Sequence, residues 1–131
     1  MSDRNAKSEY LVLSRGQWDK SLSKEQIQTA IDSFYMWIEG MIEEGKMKPG
    51  QRLAVGGKTV GAKGVIVDGP FGESKEVIGG YWFIIAENLE EAAEYMAGNP
   101  CIQCGLFFEL RPLELERASA YVETNETPAE G

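Results

Sequence analysis

Apolar positions recur along the chain with two different periods, and each change of period marks an element. Tyr10 to Ser14 is a short apolar segment between charged residues and predicts a first strand. Ser23 stands three residues ahead of Gln26, the spacing of a capping box. Ile27, Ala30, Ile31, Phe34, Ile38, Met41 and Ile42 then recur at helical spacing, one face of a helix of about five turns. Gly45, Lys46 and Pro49 are stop signals beyond it. From Arg52 the pattern turns to β-branched segments punctuated by glycine. Arg52 to Val55 is a weak strand, and Lys58 to Val60 pairs with Val65 to Val67 through Gly61-Ala-Lys-Gly64 as a hairpin. Asp68-Gly-Pro-Phe71 stops that hairpin, since proline cannot donate to a ladder. Ile78 to Ala86 is the strongest strand. Asn88 and Glu91 open a short second helix with Leu89, Ala92, Ala93 and Met96 on one face, and Gly98 and Pro100 close it. Gly105 to Leu110 is a last strand, ended by Pro112.

The order β-α-β-(β)-β-α-β predicts an α+β fold, a ferredoxin-like split β-α-β with an extra hairpin strand and both helices on one face of the sheet. In Ile78–Ala86, Tyr81, Phe83 and Ile85 point one way and Trp82 and Ile84 the other, so both faces are apolar. The last strand alternates Leu106, Phe108 and Leu110 with Phe107, Glu109 and Arg111. A sheet with one face in water should alternate apolar with polar, so cover on both sides is expected. Two helices fit one side only. The economical cover for the other is a second copy, a face-to-face homodimer; the alternative is that the segment from Leu113 folds back over the open face.

Composition narrows the function classes. A chain of 131 residues holds one proper core, here assigned to residues 9–113 between a polar tail (1–8) and an acidic tail (114–131). A formal charge of −8 repels nucleic acid and anionic lipid, and the only loose basic cluster is Lys46, Lys48, Arg52, Lys58 and Lys63. No apolar run approaches a membrane span and Met1 to Glu9 lacks a signal-peptide core, so a cytoplasmic location is the default. The chain has no histidine, which removes the usual neutral-pH general base and the commonest zinc ligand. Cys101-Ile-Gln-Cys104 is a lone pair, short of a four-ligand zinc site and placed between a helix end and a strand rather than at a helix N-terminus, so two small junction residues are the plainer reading. No phosphate-cradling glycine motif and no serine elbow is present, and neither a cofactor nor a metal is expected.

The remaining candidates carry a structural and a functional reading each. Glu109 and Arg111 beside Phe107 either pair with each other or line a cleft, in which Arg111 binds an anionic group as a planar fork donor. Asp68 ahead of Gly-Pro either accepts backbone hydrogen bonds and fixes a turn, or acts as a general acid or base desolvated by Phe71, Tyr81 or Trp82, with Tyr81 as a catalytic companion. Trp18 either caps a ligand pocket or covers the core edge.

Asp68-Gly-Pro-Phe with Glu73, Lys75 and Glu76, then Gly79-Gly-Tyr and Glu109-Leu-Arg-Pro112, resembles the YCII-related family in its DGPF branch, over about Tyr10 to Leu113. The resemblance implies a ferredoxin-like dimeric α/β barrel. It also implies relatives that are often bacterial, associated with alternative sigma factors and largely uncharacterised, which allows a regulatory role. The wider family's suggested His-Asp pair cannot be carried over without a histidine, and only Asp68 remains as its acidic member. Two functions are therefore expected side by side: a small-molecule-binding or regulatory module using a cleft of the barrel, or a metal-free acid/base enzyme of lyase or isomerase type on a small anionic metabolite.

Overall fold

The computed structural model describes residues 6–68 and 77–129, without the side chains of residues 65–68. The elements run β1 (Ser8–Gly16), α1 (Lys24–Glu43), β2 (Met47–Arg52), β3 (Lys58–Gly61), β4 (Gly64–Asp68), β5 (Ile78–Ala86), α2 (Leu89–Met96), a 3₁₀ turn (Pro100–Cys104) and β6 (Leu106–Pro112). β2, β5, β1 and β6 form one sheet in that spatial order, with every pairing antiparallel. With the β3–β4 hairpin set aside, this is the ferredoxin-like arrangement, in which the first and third strands are central. The hairpin is a separate two-stranded sheet between β2 and β5, an insertion with two strands of its own.

The capping box forms as the spacing predicts: the Ser23 hydroxyl accepts from the Gln26 N–H, and the Gln26 carboxamide accepts from the Ser23 N–H. At α2 the Asn88 side chain accepts from the Glu91 N–H, while the Glu91 carboxylate reaches one residue further back to the Glu87 N–H. Ala30, Phe34 and Ile38 of α1 and Ala92 and Met96 of α2 bury against Tyr10, Val12, Trp82, Ile84 and Ala86 of the sheet. Phe34 meets Trp82 edge to face at 5.4 Å, a contact worth about 1 kcal/mol beyond the area it buries. Both helices thus cover one face.

The second strand differs from the sequence expectation. The sequence predicts a weak strand over Arg52 to Val55, whereas the strand is Met47–Arg52, a segment whose lysine, proline and glycine hide it from propensity. It is an edge strand, where proline is tolerated, and Pro49 and Gly50 fall at a bulge between Lys48 and Gln51. Gly50 crosses β5 so closely that a Cβ there would lie 1.7 Å from the Tyr81 carbonyl oxygen. Only glycine permits that approach. Cys101 and Cys104, expected in a plain junction, sit in the 3₁₀ turn, which the buried Asn99 caps by accepting from the Cys101 N–H.

Among the described residues no helix packs on the other face of the sheet, which carries Leu11, Leu13, Tyr81, Phe83, Ile85 and Phe107. Residues 113–129 do not cover it either, since they are exposed throughout. Among the described residues, no helix is long and apolar enough to cross a membrane.

Candidate functional site

The bulge in β2 decides which side chains reach the helix-covered end of the sheet. Met47 pairs with Ile84 on the covered face, and strict alternation from Met47 would send Arg52 to the open face. The extra residue at Pro49-Gly50 reverses the alternation, so Arg52 pairs with Gly80 on the covered face instead. A second irregularity lies beside it: Ser14 pairs with Gly80 but Arg15 with Ile78, which leaves Gly79 as the extra residue of β5. The Leu53 N–H donates to the Gly79 carbonyl at 2.9 Å and holds the end of β2 in place.

These residues border a pocket of about 710 Å³ between α1 and the sheet. Ser14 and Gly16 come from β1, Gly79 and Trp82 from β5, Leu106 and Phe108 from β6, and Ile31, Phe34 and Tyr35 from α1. Trp18, Lys20, Cys101 and Arg52 add to the rim and floor, together with Gln17, Val55 and Val77. The pocket thus has aromatic walls and two cations at its margin, and its size is that of a small-molecule site.

The loop carrying Trp18 is positioned by backbone contacts. The Asp19 N–H donates to the Cys104 carbonyl at 2.9 Å, where the chain turns from the 3₁₀ segment into β6. Gly105 makes that turn at φ +107°, and a Cβ on it would meet the Asp19 nitrogen at 2.6 Å. Asp19 also accepts from the Ser21 N–H and hydroxyl, which hold its carboxyl below its ordinary range.

Two polar groups in the pocket stand out. Ser14 is 7% exposed, and its hydroxyl opens on the pocket with no hydrogen-bond partner among the described residues. The Arg52 guanidinium likewise makes no ion pair or hydrogen bond with a described residue. Cys101 on the floor is a poor nucleophile: burial, with Cys104 nearby adding to it, pushes its thiol up to about 11. Its Sγ lies 3.7 Å from the Ala30 carbonyl oxygen, as a thiol donor would.

The residues singled out from sequence fall in separate places. Trp18 lines the pocket. Tyr81, Glu109 and Arg111 lie on the open face, where Tyr81 and Glu109 flank Leu13 and Arg111 flanks Leu11. Arg15 binds Glu109 at 2.5 Å and Arg111 binds it at 3.1 Å, so the carboxylate sits between two guanidinium groups. The Arg111 hydrogen bond, joined by that of Arg15, holds the Glu109 carboxyl below its ordinary value against the opposing effect of burial. Asp68 ends β4 opposite Lys58, but its side chain, like the whole of residues 69–76, lies outside the described residues. Ser14, Arg52 and Gly79 were not among the sequence candidates. Arg52 was visible only as one of a loose run of basic residues, and the Gly79-Gly80 pair was the single local hint that a backbone or ligand comes close to β5.

Among the described residues no cluster of histidine, cysteine and carboxylate groups has the makings of a metal site. No curated protein matches the chain. A family model described as the YCII-related domain matches residues 9–116, from the first strand through the end of the last, and the chain therefore belongs to the YCII-related domain family.

Proposed function

We propose that this protein is a small-molecule-binding module, of the DGPF branch of its family, that holds its ligand in the pocket between α1 and the sheet. One observation carries the reading: a cavity of about 710 Å³ walled by Trp18, Phe34, Trp82 and Phe108 presents a hydroxyl and a guanidinium that no described residue engages. Arg52 is exposed and the Ser14 hydroxyl is not sealed from solvent, so both are free to exchange water for a ligand that enters along the apolar wall. Arg111, the anion-binding candidate of the sequence, is engaged by Glu109 instead. Anion recognition in this reading passes to Arg52.

The same reading includes a homodimer through the open sheet face. The apolar stripe of Leu11, Leu13, Tyr81, Phe83 and Ile85 supports it. Ion pairs share that face: Lys48 of β2 reaches Glu9 of β1 across β5, and Glu109 of β6 is held by Arg15 and Arg111 at the other edge of the sheet. Charged pairs within an interface fix register more than they add affinity.

Binding is tested by following the indole N–H resonances during titration with pooled small metabolites. Trp18 and Trp82 line the pocket, whereas Trp37 packs against Phe34 at 6.1 Å and serves as the internal reference. The expected result is a shift of the first two signals with the third unmoved, together with a rise in melting temperature. Pools that leave Trp18 and Trp82 unmoved overturn the reading.

A further inference from the structure

The polar groups of the pocket converge on one place. A Cβ built on Gly79 would lie 3.3 Å from the Ser14 Oγ and 4.0 Å from the Arg52 Nη2, so a hydroxyl and a guanidinium face the same side-chain-sized space above a bare Cα. Gly79 does not need to be glycine for its backbone, because its φ is not among the positive ones. Its missing side chain instead leaves room for something else between the two donors. The rest of the wall, Trp18, Phe34, Trp82 and Phe108, offers flat apolar surface leading away from that point.

We infer that the ligand of this pocket is a carboxylate carried on a flat apolar body, with the carboxylate over Gly79 between Ser14 and Arg52 and the body against the tryptophans. The inference rests on the reading of the pocket given above and adds its ligand class. The donor set fits a carboxylate: the guanidinium presents two parallel N–H groups and the serine one O–H, against two oxygens in a plane. A phosphate dianion is a poorer match. It calls for more N–H donors, none of the lining residues belongs to the first turn of α1 or α2, the Cys101 N–H in the 3₁₀ turn is already taken by Asn99, and the chain's formal charge of −8 opposes a second negative charge on the ligand more strongly than a first. Lys20 at the margin adds a favourable potential for an approaching anion.

The test uses the full chain and three probes of one shape, 2-naphthoate, 2-naphthamide and 2-naphthyl phosphate, followed by calorimetry and by the Trp18 and Trp82 indole resonances. Naphthoate is expected to bind at least tenfold more tightly than both others. Arg52→Gln is expected to remove that preference while leaving the amide unchanged, and Ser14→Ala to weaken naphthoate severalfold. Arg52 is exposed, so its variant should keep the fold, which an unchanged melting curve verifies. Equal binding of acid and amide to the wild type, or tighter binding of the phosphate, overturns the carboxylate assignment and leaves the pocket reading standing. If none of the three moves the Trp18 and Trp82 signals at millimolar concentration, both the carboxylate assignment and the pocket reading for flat apolar ligands fail.

Discussion

Single side chains here are informative through their partners rather than their type. Glu109 looked from sequence like either half of a pair or part of a cleft, and it is a carboxylate held by two arginines. Its lowered folded pKa means that its stabilising contribution is present above its ordinary value of 4.5 and is lost as pH falls through the depressed one. Glu109→Gln should therefore cost about 0.5–1 kcal/mol at neutral pH, because the pair is partly solvated, and should flatten the acid limb of a pH–stability curve measured by urea unfolding. Cys101 runs the other way. With its folded thiol near 11 against an ordinary 9.0, its contribution is complete below pH 9 and is lost as pH rises towards 11. Native protein treated with a thiol reagent at pH 8 should label Cys104 first, with Cys101 reacting only on unfolding; prompt labelling of both would contradict the burial of Cys101.

At the level of elements, two glycines predict opposite outcomes. Gly40 lies within α1 with nothing within 4 Å of its would-be Cβ, so Gly40→Ala should stabilise by about 0.5–1 kcal/mol and raise the thermal midpoint. Gly50→Ala should destabilise by about 2 kcal/mol or more, since the new methyl would collide with the Tyr81 carbonyl across the β2–β5 ladder. It should also disturb the presentation of Arg52, a loss that ligand titration would detect independently of the melting curve. The helices were legible from sequence because capping chemistry and a 3.6-residue period are local signals. β2 was not, because its position depends on a partner strand that accepts a polar, proline-containing edge and on a bulge that no local pattern encodes.

For the whole molecule, the open sheet face leads to a prediction about assembly. Sedimentation at micromolar concentration should give a dimer, and Phe83→Asp should give a folded monomer, since it places a charge amid the apolar stripe while leaving the helix-covered core intact. A wild-type monomer would refute the dimer. Removal of residues 114–131 should leave both fold and assembly unchanged, because residues 114–129 are exposed and no hydrogen bond or ion pair shown for them reaches a strand or helix.

Sequence alone determined the class of fold, the two helices, the central strand Ile78–Ala86, the two-faced character of the sheet and the family, because each of these is written in periodicity, caps or a run of neighbouring residues. It also placed Glu109, Arg111 and Phe107 together, since alternation along one strand suffices for that. The make-up of the pocket was decided only by tertiary structure. Ser14, Gly79 and Arg52 lie far apart in the chain and meet because two irregularities in strand pairing, one in β2 and one in β5, bring them to the same face. A one-residue slip reverses every side chain beyond it, and the slip is set by how strands fit against each other in space rather than by the residues that slip.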